Sequence, residues 1–116
     1  MADKKQSESY FKREDLKKFK NITDLQEEYG SKFFDYYGSV FKEGALTVRE
    51  KSLIALAVAH AIQCPYCIEA YTNSCLVKGA DEEQMMEAVH VAAAIKAGTT
   101  LVYGVQMMEH IERQSM

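Results

Sequence analysis

The chain has 116 residues, a length that fits one domain able to bury a core without disulfide staples. Apolar residues make up 47 % and charged residues 27 %, an ordinary globular balance, and the net charge of −3 argues against nucleic acid as a main partner. The basic cluster Lys12, Arg13, Lys17, Lys18 and Lys20 is interrupted by Glu14 and Asp15, the pattern of a solvated helix face.

Residues 1–9 are polar, lack the apolar segment of a secretory signal, and predict a disordered tail ahead of a single domain over residues 10–116. A short helix is expected over Glu14–Lys20. Thr23 and Gln26 then have capping-box spacing. Behind them Leu25, Tyr29, Phe33, Tyr37 and Phe41 recur every fourth residue, which predicts one aromatic helix face to about Lys42, ended by Gly44 and weakened by Gly30 and Gly38.

Thr47 and Glu50 form a second capping box, opening an alanine-rich helix over Val48–Ile62. Its apolar run Leu53–Ile62 is ten residues long, too short to span a bilayer. Pro65 suits the first position of the next helix, because an N–H there has no intrahelical partner. Cys64 then falls at the cap and Cys67 at the third helical position, with the helix running to Lys78 and stopping at Gly79. Asp81 and Gln84 cap a helix over Glu82–Ala97, ended by Gly98. Thr99 or Thr100 starts a last one to Glu112. The expectation is an all-α domain of about six helices. The segments Leu53–Ile62 and Met85–Ala97 are apolar on every side, which predicts a homo-oligomer.

Cys64-Pro65-Tyr66-Cys67 carries the chemistry. Helix N-termini favour thiolates, and two cysteines three apart on one turn can close a disulfide. In a cytoplasmic protein such a pair reads as redox-active: one thiolate attacks, the other resolves the sulfenic acid or mixed disulfide. Two thiols are too few for a structural zinc site, so no metal or cofactor is expected, although they would suit capture of trivalent arsenic or another soft ion. His60, at the end of the preceding helix, is a candidate proton relay, and Tyr71 lies one turn beyond Cys67. Cys75 reads as a packing residue, His90 as a residue of the second apolar helix that faces either the site or the core, and Met85, Met86, Met107 and Met108 as core or subunit contacts.

The order Arg49-Glu50-Lys51-Ser52-Leu53-Ile54-Ala55-Leu56-Ala57-Val58-Ala59, the cysteine motif through Tyr71, and Gly79-Ala80-Asp81-Glu82-Glu83 together resemble the carboxymuconolactone decarboxylase superfamily in its alkylhydroperoxidase D-like branch. The stretch Ala59–Tyr71 is also similar to a peroxidase-like subgroup associated with arsenosugar biosynthesis. The resemblance implies an all-helical bundle assembled as a trimer or hexamer, a hydroperoxide substrate, and re-reduction by a dithiol partner. It implies that Cys67 attacks peroxide and Cys64 resolves. The family histidine four residues after the second cysteine is Tyr71 here, and the family glutamate about twelve residues before the first is Ser52, with Glu50 two residues away. A phenol with an ordinary pKa of about 10 is a poor base at neutral pH, so His60 is the expected replacement and Glu50 a weaker one. Lactone decarboxylation is not expected, nor is a membrane or nucleic-acid partner.

Overall fold

A computed structural model describes residues 12–115; the tail expected over residues 1–9 lies outside them. The described residues form helices and no strands: α1 (Arg13–Lys17), a 3-10 helix (Phe19–Asp24), α2 (Glu27–Val40), α3 (Val48–Ala61), α4 (Pro65–Val77) and α5 (Glu82–Ser115).

Local caps explain most boundaries. The Thr47 hydroxyl accepts from the Glu50 amide at 3.1 Å while the Glu50 carboxylate accepts from the Thr47 amide at 2.8 Å, closing the expected capping box on α3. Asp81 and Gln84 exchange the same pair of bonds ahead of α5. Gly79, at φ +88°, ends α4 in a left-handed turn whose amide bonds Leu76 while that of Ala80 bonds Cys75. The Lys51 ammonium reaches the Val40 carbonyl at 2.7 Å and so satisfies the C-terminus of α2.

Two expectations need correction. Thr23 and Gln26 form no capping box: the 3-10 turn runs through Thr23, and Gln26 caps α2 without a side-chain bond. Gly30 packs against Thr23 so closely that an added Cβ would lie 2.8 Å from its Cα, so Thr23 is held as a packing partner. Nor does a helix end at Gly98. A single 34-residue helix runs from Glu82 to Ser115. Gly98 takes no left-handed turn, and the hydroxyls of Thr99 and Thr100 donate back to Ile95 and Lys96 at 2.9 and 3.0 Å, inside a continuous helix. Among the described residues the six expected helices therefore become five and a 3-10 turn.

Helix α3 is central, packing on α4 along one side and α5 along another. The core is small: Leu56, Cys75 and Ala80 are buried, with Leu53, Tyr71 and Met85 against them. Between α3 and α4 the buried Ser52 hydroxyl and the partly buried Ser74 hydroxyl bond each other at 2.8 Å. At 1.5 Å per residue, α5 is about 51 Å long, and much of it reaches beyond the bundle. Val91, Ile95, Leu101, Val102, Val105 and Met108 are each more than half exposed. An 18-residue window of α5 reaches a mean hydropathy of 1.3 and is only 6 % buried, so by length and composition this helix could cross a membrane. The Lys96 ammonium nevertheless ties it to the bundle, donating to the Ala61 carbonyl at the end of α3 at 2.9 Å.

Glycine substitutions should therefore have opposite signs. At Gly98 a Cβ would meet nothing within 4 Å, and Gly98→Ala should raise unfolding free energy by about 0.5–1 kcal/mol. Gly30→Ala should lower it, because the Thr23 backbone must shift. Paired urea titrations of the two variants against wild type measure both.

Candidate redox site

The reversal between α3 and α4 builds the site. The Cys64 amide bonds back to the Ala59 carbonyl at 3.0 Å and that of Gln63 to His60 at 3.2 Å, the bonding pattern of a left-handed helix end. Gln63 occupies the position usually given to glycine, at φ +56°. The next residue already caps α4: the Cys64 sulfur accepts from the Cys67 amide at 3.2 Å. One turn thus closes α3 and aims the N-terminus of α4 at a sulfur, with Pro65 at the first helical position.

Cys64 and Cys67 are joined as a disulfide, with Cα atoms 5.2 Å apart. Both are partly buried and border a cavity of about 560 Å³. Tyr37, Ala70 and Tyr71 line it from α2 and α4; Phe19 and Ile22 line it from the 3-10 turn. Ring contacts run continuously around it: Phe19–Phe33 at 5.9 Å, Phe33–Tyr37 at 5.6 Å, Tyr37–Phe41 at 4.9 Å and Phe41–Tyr71 at 5.5 Å. The lower half of the expected aromatic face on α2 is therefore the wall of the site, whereas Leu25 and Tyr29 stay exposed. Burial pushes the Tyr37 phenol above its ordinary pKa.

The structure brings Cys64, Cys67 and Tyr71 to one cavity. His60 faces the other side of the α4 N-terminus, where it borders a separate depression with Gln63, Pro65, Ile68 and Glu69. Its Nδ1 lies 2.9 Å from the Leu56 carbonyl. A carbonyl only accepts, so Nδ1 carries the proton and Nε2 is the basic nitrogen of the neutral ring. Glu50 stands at the opposite end of α3, more than three turns from the pair by sequence, with its carboxylate engaged in the cap. The Thr47 amide, then the Thr47 hydroxyl, hold its pKa below the ordinary 4.5, aided by Arg49. Ser52, at the family glutamate position, is buried on Ser74. His90 is exposed on α5, and Met86, Met107 and Met108 are more than half exposed, while Met85 packs on the core. Cys75 is fully buried, and burial raises its thiol pKa. Among the described residues no group of three or more His, Cys, Asp or Glu side chains is placed to hold a metal ion.

The N-terminal wall was invisible in the sequence. The Tyr66 hydroxyl donates to the Asp15 carboxylate at 2.8 Å across 51 positions of chain, fastening α1 to the cysteine turn. Only the tyrosine inside the motif hinted at a partner, and nothing local specified which.

The site is a cysteine pair at a capped helix start within a small all-helical chain. The chain belongs to the carboxymuconolactone decarboxylase family, whose model matches residues 27–110. It is similar to a crystal structure from Methanobacterium thermoautotrophicum, at 31 % identity and a TM-score of 0.71, covering 74 % of this chain and 97 % of that one. It is also similar to a carboxymuconolactone decarboxylase family protein from Legionella pneumophila, at 28 % identity and a TM-score of 0.67, covering 90 % and 94 %. A family protein from Thermotoga maritima, with a suggested involvement in antioxidative response, shares the fold at 22 % identity and a TM-score of 0.54, covering 85 % and 95 %. An uncharacterized protein 4 of the cox locus in Paracoccus denitrificans is 50 % identical over 64 residues, which are 55 % of this chain; the match spans 58 % of that relative's length.

Two outcomes follow from the site geometry. Gln63→Gly should relieve the left-handed backbone and raise stability by about 1 kcal/mol, read from the urea midpoint. The Glu50 carboxyl titrates lower folded than unfolded, so its charge stabilises the fold above pH 4.5 and that contribution disappears as pH falls through the lowered value. Glu50→Gln should therefore be less stable than wild type at neutral pH, with a gap that narrows on acidification in a pH series of urea titrations.

Proposed function

We propose that this chain is a thiol-dependent peroxidase that reduces hydroperoxides through Cys67 and Cys64. The supporting observation is the placement of both sulfurs, within bonding reach, at one helix N-terminus beside a half-open, largely apolar cavity. In the reduced protein the Cys67 thiolate attacks the terminal oxygen of a hydroperoxide. A sulfur–oxygen bond forms, the O–O bond breaks, and the departing alkoxide takes a proton to leave as an alcohol. Cys67 is then a sulfenic acid. The Cys64 sulfur attacks it, the disulfide forms, and water leaves. Two electrons and two protons from an external dithiol restore the thiols, and that dithiol becomes a disulfide.

The Cys67 amide aimed at the Cys64 sulfur gives this cycle a direction. A thiolate at Cys64 would receive that charge-assisted bond, so Cys64 is the better leaving group when a reductant attacks Cys67. We assign the proton donor for the departing alkoxide to Tyr71, which lines the same cavity as both sulfurs. A phenol suits donation rather than proton removal at neutral pH. His60 and Glu50 are outside that cavity. The working unit we assign is a cytoplasmic homo-oligomer, a trimer or hexamer, in which neighbouring copies cover the exposed apolar stripe of α5.

Peroxide consumption with a dithiol donor tests the reading. Wild type should turn over, Cys67→Ser should lose turnover entirely, and Cys64→Ser should complete one oxidation and stop at the sulfenic acid, trapped by dimedone and read by mass. Tyr71→Phe should slow oxidation by roughly 10²-fold or more, whereas His60→Ala should not. Stoichiometric arsenite uptake without any peroxide consumption would replace the peroxidase with a soft-ion binding protein.

A further inference from the structure

We infer that the cavity over the disulfide is a binding site for an amphiphilic carboxylic acid, with Lys18 holding the acid group and the aromatic wall holding its apolar body. The inference rests on the peroxidase reading only for its kinetic consequence, that the preferred oxidant is a hydroperoxide of such an acid.

The cavity is lined by carbon and carries two charged residues, Asp15 and Lys18. They are not equivalent. The Asp15 carboxylate already accepts from the Tyr66 hydroxyl at 2.8 Å. The Lys18 side chain has no hydrogen-bond or ion-pair partner among the described residues. Lys18 lies three positions after Asp15, and the Lys18 amide bonds the Asp15 carbonyl at 3.1 Å, so the bond that pins Asp15 to Tyr66 also holds Lys18 at the cavity. Of the two charged side chains, Asp15 is held by Tyr66, and Lys18 is the one with no partner among the described residues and free to meet a ligand's acid group.

The wall selects against small oxidants. Hydrogen peroxide gains nothing from Phe19, Ile22, Phe33 and Tyr37, because it has no apolar surface to remove from water. A chain or ring filling about 560 Å³ would contact all four. Its carboxylate at Lys18 would fix which end reaches the sulfurs, so the lysine sets orientation and the rings set affinity.

Calorimetric titration of the oxidised full-length protein with decanoate and with 1-decanol tests the site without turnover. Decanoate should bind more tightly than decanol. Lys18→Glu should weaken decanoate by roughly tenfold and leave decanol unchanged, and Phe19→Ala should weaken both. Equal binding of the two ligands, no binding of either, or no effect of Lys18→Glu would overturn the inference. In parallel, oxidation of the reduced protein by linoleate hydroperoxide, its methyl ester and hydrogen peroxide separates the two claims. A raised KM for the acid alone in Lys18→Glu supports the site. Turnover of all three without a Lys18 effect defeats the acid site and leaves the peroxidase. Absence of turnover with the calorimetric pattern intact defeats the peroxidase and leaves the acid site.

Discussion

A backbone amide meeting a sulfur organises this protein. The Cys67 N–H points at Cys64, and that geometry requires α4 to begin where α3 has just ended. The left-handed Gln63 makes the two events consecutive. The rest of the bundle holds the angle: Ser52 on Ser74, Leu56 on Cys75 and Ala80, and Lys96 on the last turn of α3.

The bundle does this with few buried residues. Fully burying a leucine contributes about 1.5–3 kcal/mol, and Leu56 is the one large aliphatic side chain sealed inside among the described residues. Ordering each residue costs about 1–2 kcal/mol of backbone entropy, so a lone chain with so thin a centre is poorly supported. The long apolar reach of α5 is the complement of that shortage: apolar surface that the other described residues leave uncovered.

What could be read from the sequence was what is settled locally. The Thr47–Glu50 and Asp81–Gln84 boxes, Pro65 behind a cap at Cys64, and the stop at Gly79 each depend on residues within four positions, and each stands as expected. Gly98 misled because a glycine marks a helix end only when the backbone turns left-handed there, and at Gly98 it does not. Thr23 had the right spacing for a cap but serves as the surface that Gly30 needs. Which side of α4 borders the cavity and which borders the His60 depression follows from how two helices cross, and the wall from Phe19 and Ile22 follows from a contact spanning 51 positions. Neither has a short-range signature.

The third cysteine bears on fidelity. Three thiols permit three intramolecular pairings, yet Cys75 lies eight residues beyond Cys67 on one helix, about 12 Å along its axis, and is sealed from solvent. Burial raises its pKa, which disfavours the reactive thiolate form. In the cycle proposed above, electron pairs would therefore pass through one bond, with the third sulfur out of reach of the pair.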